Sequence, residues 1–96
     1  MTRLDLTNAA RRDLDALPEP LRPAVAVTID RLAIDPRSVG KPLVGRMGGL
    51  WSARVGNYRV LYTIEGSPAS LRVVVREITH RAVAYRRRRQ ESDNTP

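Results

Sequence analysis

The 96-residue chain has no cysteine and no phenylalanine, and only one tryptophan and one histidine, His80. Without cysteine there can be no disulfide, thiolate metal site or cysteine nucleophile. One histidine excludes a multi-histidine zinc centre and a nuclease mechanism that divides acid and base between two imidazoles. No redox or zinc chemistry is therefore in view, and no cofactor is expected. Without phenylalanine the core has to be largely aliphatic. No apolar run approaches the ~20 residues of a membrane-spanning helix. The first residues, Met1-Thr2-Arg3-Leu4-Asp5-Leu6, carry charges where a signal peptide needs its apolar stretch. A cytoplasmic protein that does not engage a membrane is expected.

Acidic residues are scarce where basic ones are dense. The formal charge is +7, and from residue 50 to 90 nine arginines (54, 59, 72, 76, 81, 86, 87, 88, 89) stand against only Glu65 and Glu77. Such a surface suits nucleic-acid phosphates, anionic lipid or an acidic protein partner, and charge alone chooses none of them. The length fits one domain, in which folding removes roughly two-thirds of the chain's surface from water. Residues 1–89 are read as that domain and Gln90 to Pro96 as a disordered tail.

Thr2 to Leu6 alternates as a short strand, and Thr7 or Asn8 can cap a helix carrying Ala10, Leu14 and Leu17 at helical spacing. Pro18-Glu19-Pro20 ends it, and a second helix with Leu21, Val25, Ile29 and Leu32 as its stripe stops near Asp35-Pro36. Residues 36–49 are rich in Gly and Pro and predict a turn-rich connection with a brief strand at Leu43-Val44. Three strands then follow, roughly 50–55, 58–65 and 71–78, as an antiparallel meander. Trp51, Ala53, Val55, Tyr58, Val60, Tyr62 and Ile64 share the core face, whereas Ser52, Arg54, Arg59, Leu61 and Thr63 point outward. Parity in the last strand is ambiguous, because Leu71, Val73 and Val75 alternate with Arg72, Val74 and Arg76.

The hairpin at 50–62 carries the most information. Gly56-Asn57 between two strand-forming runs is a type II′ turn signal. It sets Val55 opposite Tyr58 and Arg54 opposite Arg59 on one sheet face. Facing like charges cost a sheet up to ~1 kcal/mol, and an anion held between them would remove the conflict. On spacing alone, a pair of solvated surface arginines is the plain alternative.

Taken in order, Leu32-Ala33-Ile34-Asp35-Pro36-Arg37, Gly40-Lys41-Pro42-Leu43, the run Gly49-Leu50-Trp51-Ser52-Ala53-Arg54-Val55-Gly56-Asn57-Tyr58-Arg59-Val60-Leu61-Tyr62, and His80-Arg81 with Tyr85 resemble the RelE-type toxins of the RelE/ParE toxin–antitoxin superfamily. The likeness runs from about Ala9 to Tyr85. It implies an α+β fold: two N-terminal helices on a twisted antiparallel sheet of about four strands, closed by a short C-terminal helix or coil. It also implies a toxin that cuts messenger RNA on the ribosome without metal, held in check by a RelB-like antitoxin, and a toxin–antitoxin complex that binds operator DNA. Attack by the ribose 2′-OH would leave a 2′,3′-cyclic phosphate and a free 5′-OH.

On that resemblance Arg59, with Arg54 sharing the task, holds the phosphorane, since guanidinium stays charged and grips two phosphate oxygens. Tyr85 stacks on a base or takes part in proton transfer, and Arg81 stabilises or protonates the departing 5′-oxygen. A phenol of pKa ~10 is only about one part in a thousand ionised at neutrality, so Tyr85 needs nearby cations to act as a base. Ser52, His80 and Arg86, Arg87, Arg88 and Arg89 are the expected contacts to RNA or ribosome. For His80 a plain surface role at a strand end ranks ahead of a catalytic one, and for the four arginines a solubilising tail is the alternative. The sequence departs from the RelE pattern where that pattern has two lysines on one strand face: here those positions are Ser52 and Arg54, which leaves no evident general base. Two other readings stay open, a ParE-like inhibitor of DNA gyrase and a catalytically inert basic binding domain of the same fold.

Overall fold

A computed structural model describes residues 2–44 and 49–80. Strand β1 (Arg3–Leu6) leads into helix α1 (Asn8–Asp15), and a 3-10 turn (Glu19–Leu21) precedes α2 (Arg22–Ile34) and the one-turn helix α3 (Pro36–Val39). Four strands follow: β2 (Lys41–Pro42), β3 (Leu50–Val55), β4 (Tyr58–Ser67) and β5 (Ser70–His80). They form one five-stranded sheet in the order β1-β5-β4-β3-β2. The sheet is mixed, because β1 runs parallel to β5, with Arg3 opposite Arg72 and Leu6 opposite Val75. An antiparallel sheet of about four strands was expected. β1 leaves through the helices rather than through a tight turn, and that long connection allows parallel pairing.

The helices cover one face. Ala10 and Leu17, together with Val25, Ile29 and Leu32 of α2, pack on Ala53, Val60, Tyr62, Val73, Val75 and Ile78 of the sheet. Trp51, Val55, Tyr58 and Ile64 pack at its margin, as strand parity predicts. Leu21 sits in the 3-10 turn, and α2 begins at Arg22 with a proline in its first turn, where a missing N–H costs nothing. Thr7 is the N-cap of α1. Its hydroxyl accepts from the Ala10 amide at 3.1 Å and donates to the Arg76 carbonyl at 2.9 Å, so one side chain caps the helix and fastens it to β5.

That fastening falls on a β-bulge. Leu61 pairs with Glu77 and Tyr62 with Val75, which leaves Arg76 as the extra residue. The bulge settles the parity of β5: Val73 and Val75 face the helices before it and Ile78 after it. Asp13 of α1 accepts from the Ile78 amide at 3.0 Å just beyond the irregularity. Val74 and Leu61 are also buried, yet neither belongs to the helix-side core.

The segment expected to be a turn-rich connection is more ordered than its composition suggests. It contains α3, and its brief strand is at Lys41–Pro42 rather than at Leu43-Val44. Val44 is 92% exposed. The expected tail, Gln90 to Pro96, lies outside the described residues.

Candidate functional site

The β3–β4 hairpin has the register read from its turn: Val55 pairs with Tyr58 and Arg54 with Arg59. Gly56 takes φ +58, a left-handed conformation that glycine adopts without a Cβ clash, and no other residue type does so among those described. Arg54 is exposed and donates from Nε to the Gly56 carbonyl at 3.3 Å, which turns its guanidinium toward the tip. Arg59 is half-buried on the same face, on the side of the sheet away from the helices.

A cleft of about 430 Å³ opens beside this pair, lined by Val39, Gly40, Lys41, Pro42, Leu43, Ser52, Arg54 and Arg59. Among the described residues no carboxylate lines it. Lys41 is the residue that sequence reasoning missed as part of a site. It pairs with Ser52 across the β2–β3 ladder, and directly opposed residues of an antiparallel pair project to the same face. The signal that pointed to it was its place in the Gly40-Lys41-Pro42-Leu43 run, but nothing local indicates that the run doubles back onto β3.

The same segment is clamped from below. The Tyr62 hydroxyl donates to the Pro36 carbonyl at 2.6 Å, and burial pushes its phenol up to about 12. A Cβ at Gly40 would collide with that hydroxyl and lie 2.8 Å from the Ser52 carbonyl oxygen. Glycine therefore allows β2 to lie against β3 while α3 stays tied to the core.

Three described arginines, Arg3, Arg72 and Arg76, are in ion pairs. Arg72 meets Asp5 at 2.8 Å and Glu65 at 3.7 Å, Arg76 meets Glu65 at 2.9 Å, and Arg3 meets Asp5 at 3.6 Å. The Arg72 guanidinium beside Asp5 holds that carboxyl below its ordinary range. Among the described residues no ion pair joins Lys41 or Arg54. Thr79 pairs with Arg59 across the ladder and is buried, and its hydroxyl has no hydrogen-bond partner among the described residues.

His80 is not brought onto this face. It pairs with Tyr58, on the helix side of the sheet, and the two rings meet edge to face with centroids 5.2 Å apart. Trp51, at the core margin, stacks on the buried Tyr62 with ring centroids 6.3 Å apart. Arg81, Tyr85 and Arg86 to Arg89 lie outside the described residues.

Helices on one face of a twisted sheet and a cationic hairpin cleft on the other place the chain in the RelE/ParE class of small toxins. A sequence model of the family described as "ParE toxin of type II toxin-antitoxin system, parDE" matches residues 4–85. Toxin RelG of Mycobacterium tuberculosis is 43% identical over 82 residues, covering 84% of this chain and 92% of that protein. Toxin RelE of the same organism is 40% identical over 82 residues, covering 84% and 82%. Among solved structures, a chain of the M. tuberculosis RelBE2 toxin–antitoxin complex superposes with a TM-score of 0.72 at 39% identity, over 82% of this chain and 96% of that one. A chain of the intact E. coli RelBE complex gives 0.62 at 16% identity, over 81% and 94%, which is a likeness of fold. The chain belongs to the ParE toxin family, and it is the toxin of a type II toxin–antitoxin system within the RelE/ParE superfamily.

Proposed function

We infer that this toxin is a metal-independent endoribonuclease that cuts messenger RNA on the ribosome. The observation that supports this most is the facing pair Arg54 and Arg59 on the wall of a cleft that no carboxylate lines among the described residues. Two guanidinium groups there can hold the non-bridging oxygens of one phosphate through the attack of the 2′-oxygen on phosphorus. The bond from phosphorus to the 5′-oxygen then breaks. The 2′-hydroxyl gives up its proton, the 5′-oxygen takes one up, and the products are a 2′,3′-cyclic phosphate and a 5′-OH. On the RelE resemblance Arg81 and Tyr85 serve the departing oxygen and the base. A site of arginines and a phenol has no well-tuned base, so its rate depends on placing the 2′-oxygen in line with phosphorus. The ribosome would supply that placement, and free RNA would be cut poorly.

The partner in this reading is a RelB-like antitoxin, a pairing that the name of the RelBE2 complex supports. Val27 and Ile34, 51% and 81% exposed on α2, offer apolar positions along which its helices can lie.

A translation extract programmed with the toxin, with new RNA 5′ ends mapped by primer extension, tests the reading. Cuts are expected inside translated messages, with Arg59→Ala slowing them at least ~100-fold and Tyr85→Phe also slowing them. The family description also names ParE, so gyrase is assayed in parallel. Intact RNA with trapped gyrase–DNA breaks would replace nuclease by gyrase inhibitor. Intact RNA and intact DNA would leave a binding domain only.

A further inference from the structure

We propose that Lys41 is a third cationic contact of the RNA phosphate held in this cleft, supplying from β2 the positive charge that β3 lacks at Ser52. The inference rests on the nuclease reading of the same cleft. Ser52 is uncharged, so among the β3 residues lining the cleft only Arg54 is a cation. The register puts Lys41 directly opposite Ser52, and the two residues line one cleft with Arg54 and Arg59. An ammonium on the neighbouring strand therefore projects beside the uncharged Ser52. Lys41 is exposed, and no carboxylate among the described residues pairs with it.

Its backbone is held more firmly than a two-residue strand would suggest. Gly40 sits against the Ser52 carbonyl and the Tyr62 hydroxyl, and Tyr62 in turn holds Pro36. Leu43 donates its amide to the Leu50 carbonyl at 2.8 Å on the far side. Lys41 thus has fixed backbone on both flanks, and its exposed side chain can reach an anion. A lysine acts on phosphate as a point charge, unlike the fork of an arginine. Charge at that place is what the proposal requires, so arginine should substitute for it and glutamine should not.

The test compares wild type, Lys41→Gln, Lys41→Arg and the double variant Lys41→Gln/Ser52→Lys in the translation extract, with cleavage rates read by primer extension. Lys41→Gln should cut about 10- to 100-fold more slowly, the range for losing one hydrogen bond to a charged group. Lys41→Arg should stay within about threefold of wild type, and Ser52→Lys should restore most of the loss in the double variant. A structural role for Lys41 would not be rescued by a lysine on another strand. Lys41→Gln cutting at the wild-type rate, or a double variant no faster than the single one, would overturn the proposal and leave the nuclease reading intact. If wild type itself does not cut, the nuclease reading fails, and pyrophosphate binding followed by NMR decides the inference. Weaker binding by Lys41→Gln then supports Lys41 as an anion contact, and equal binding overturns it.

Discussion

Tyr62 shows at the scale of one residue how the core and the cleft depend on each other. Its ring is part of the hydrophobic core, and its hydroxyl reaches out of that core to hold Pro36. Tyr62→Phe should cost about 1–3 kcal/mol, because the hydrogen bond goes and a carbonyl is left without its donor; urea unfolding measures it. The phenol adds a pH signature. It stays protonated to about 12 in the fold against 10.0 without burial. As pH rises from about 10 to 12 the unfolded chain releases this proton before the folded one does, so stability falls across that window. Tyr62→Phe should be flatter there, and a comparison of the two unfolding profiles isolates the contribution from those of other tyrosines and lysines.

Parity with Ala53 and Val60 was enough to assign Tyr62 to the core from sequence. The role of its hydroxyl was not legible, because the acceptor lies 26 positions away in a segment with no periodic signal. Lys41 was hidden for the same reason: its meaning depends on its partner across the ladder.

At the scale of elements, the β3–β4 hairpin could be read in full, since a two-residue turn determines register and strand alternation determines faces. Gly56→Ala should destabilise by about 1–2 kcal/mol through its positive φ alone, because nothing crowds a Cβ there. Gly40→Ala meets the opposite situation, a conformation open to any residue but no space. It should cost about 1–3 kcal/mol by overpacking and, by displacing β2, should also weaken any anion binding that uses Lys41. Thermal unfolding of the two variants, with phosphate titration, separates the mechanisms. The last strand resisted sequence reading because Val73, Val74 and Val75 give no alternation. The Arg76 bulge then shifts the parity between Val75 and Ile78, and only pairing with β4 and anchoring by Thr7 and Asp13 define it.

For the whole molecule, the missing information was the partner of β1. Arg3 and Arg72 are far apart in sequence, and no local pattern announces a parallel pair. Composition did announce a cationic half, but not how its charges are divided on the sheet. Asp5 sits at the join between β1 and β5, with its carboxyl held low first by the hydrogen bond from Arg72. A lowered carboxyl pKa stabilises the fold above the ordinary value of 3.8, and that contribution disappears as pH falls below it. Asp5→Asn should therefore be less stable than wild type at neutral pH, with the difference shrinking on acidification below that value. Chemical unfolding at a series of pH values follows it.

Asp5 and Glu65 offset most of the charge of Arg3, Arg72 and Arg76 on one side of the sheet face turned away from the helices, while no such pair reaches Lys41 or Arg54 on the other. Among the described residues these ion pairs therefore gather toward the β1–β5 side of this face, and Lys41 and Arg54 stand on its β2–β3 side. A polyanion approaching it experiences a torque as well as an attraction, and the molecule tends to turn its β2–β3 side forward before contact. Reversing the charge at position 54 should then slow productive encounter more than a reversal at Arg72, whose charge is already shared with two carboxylates.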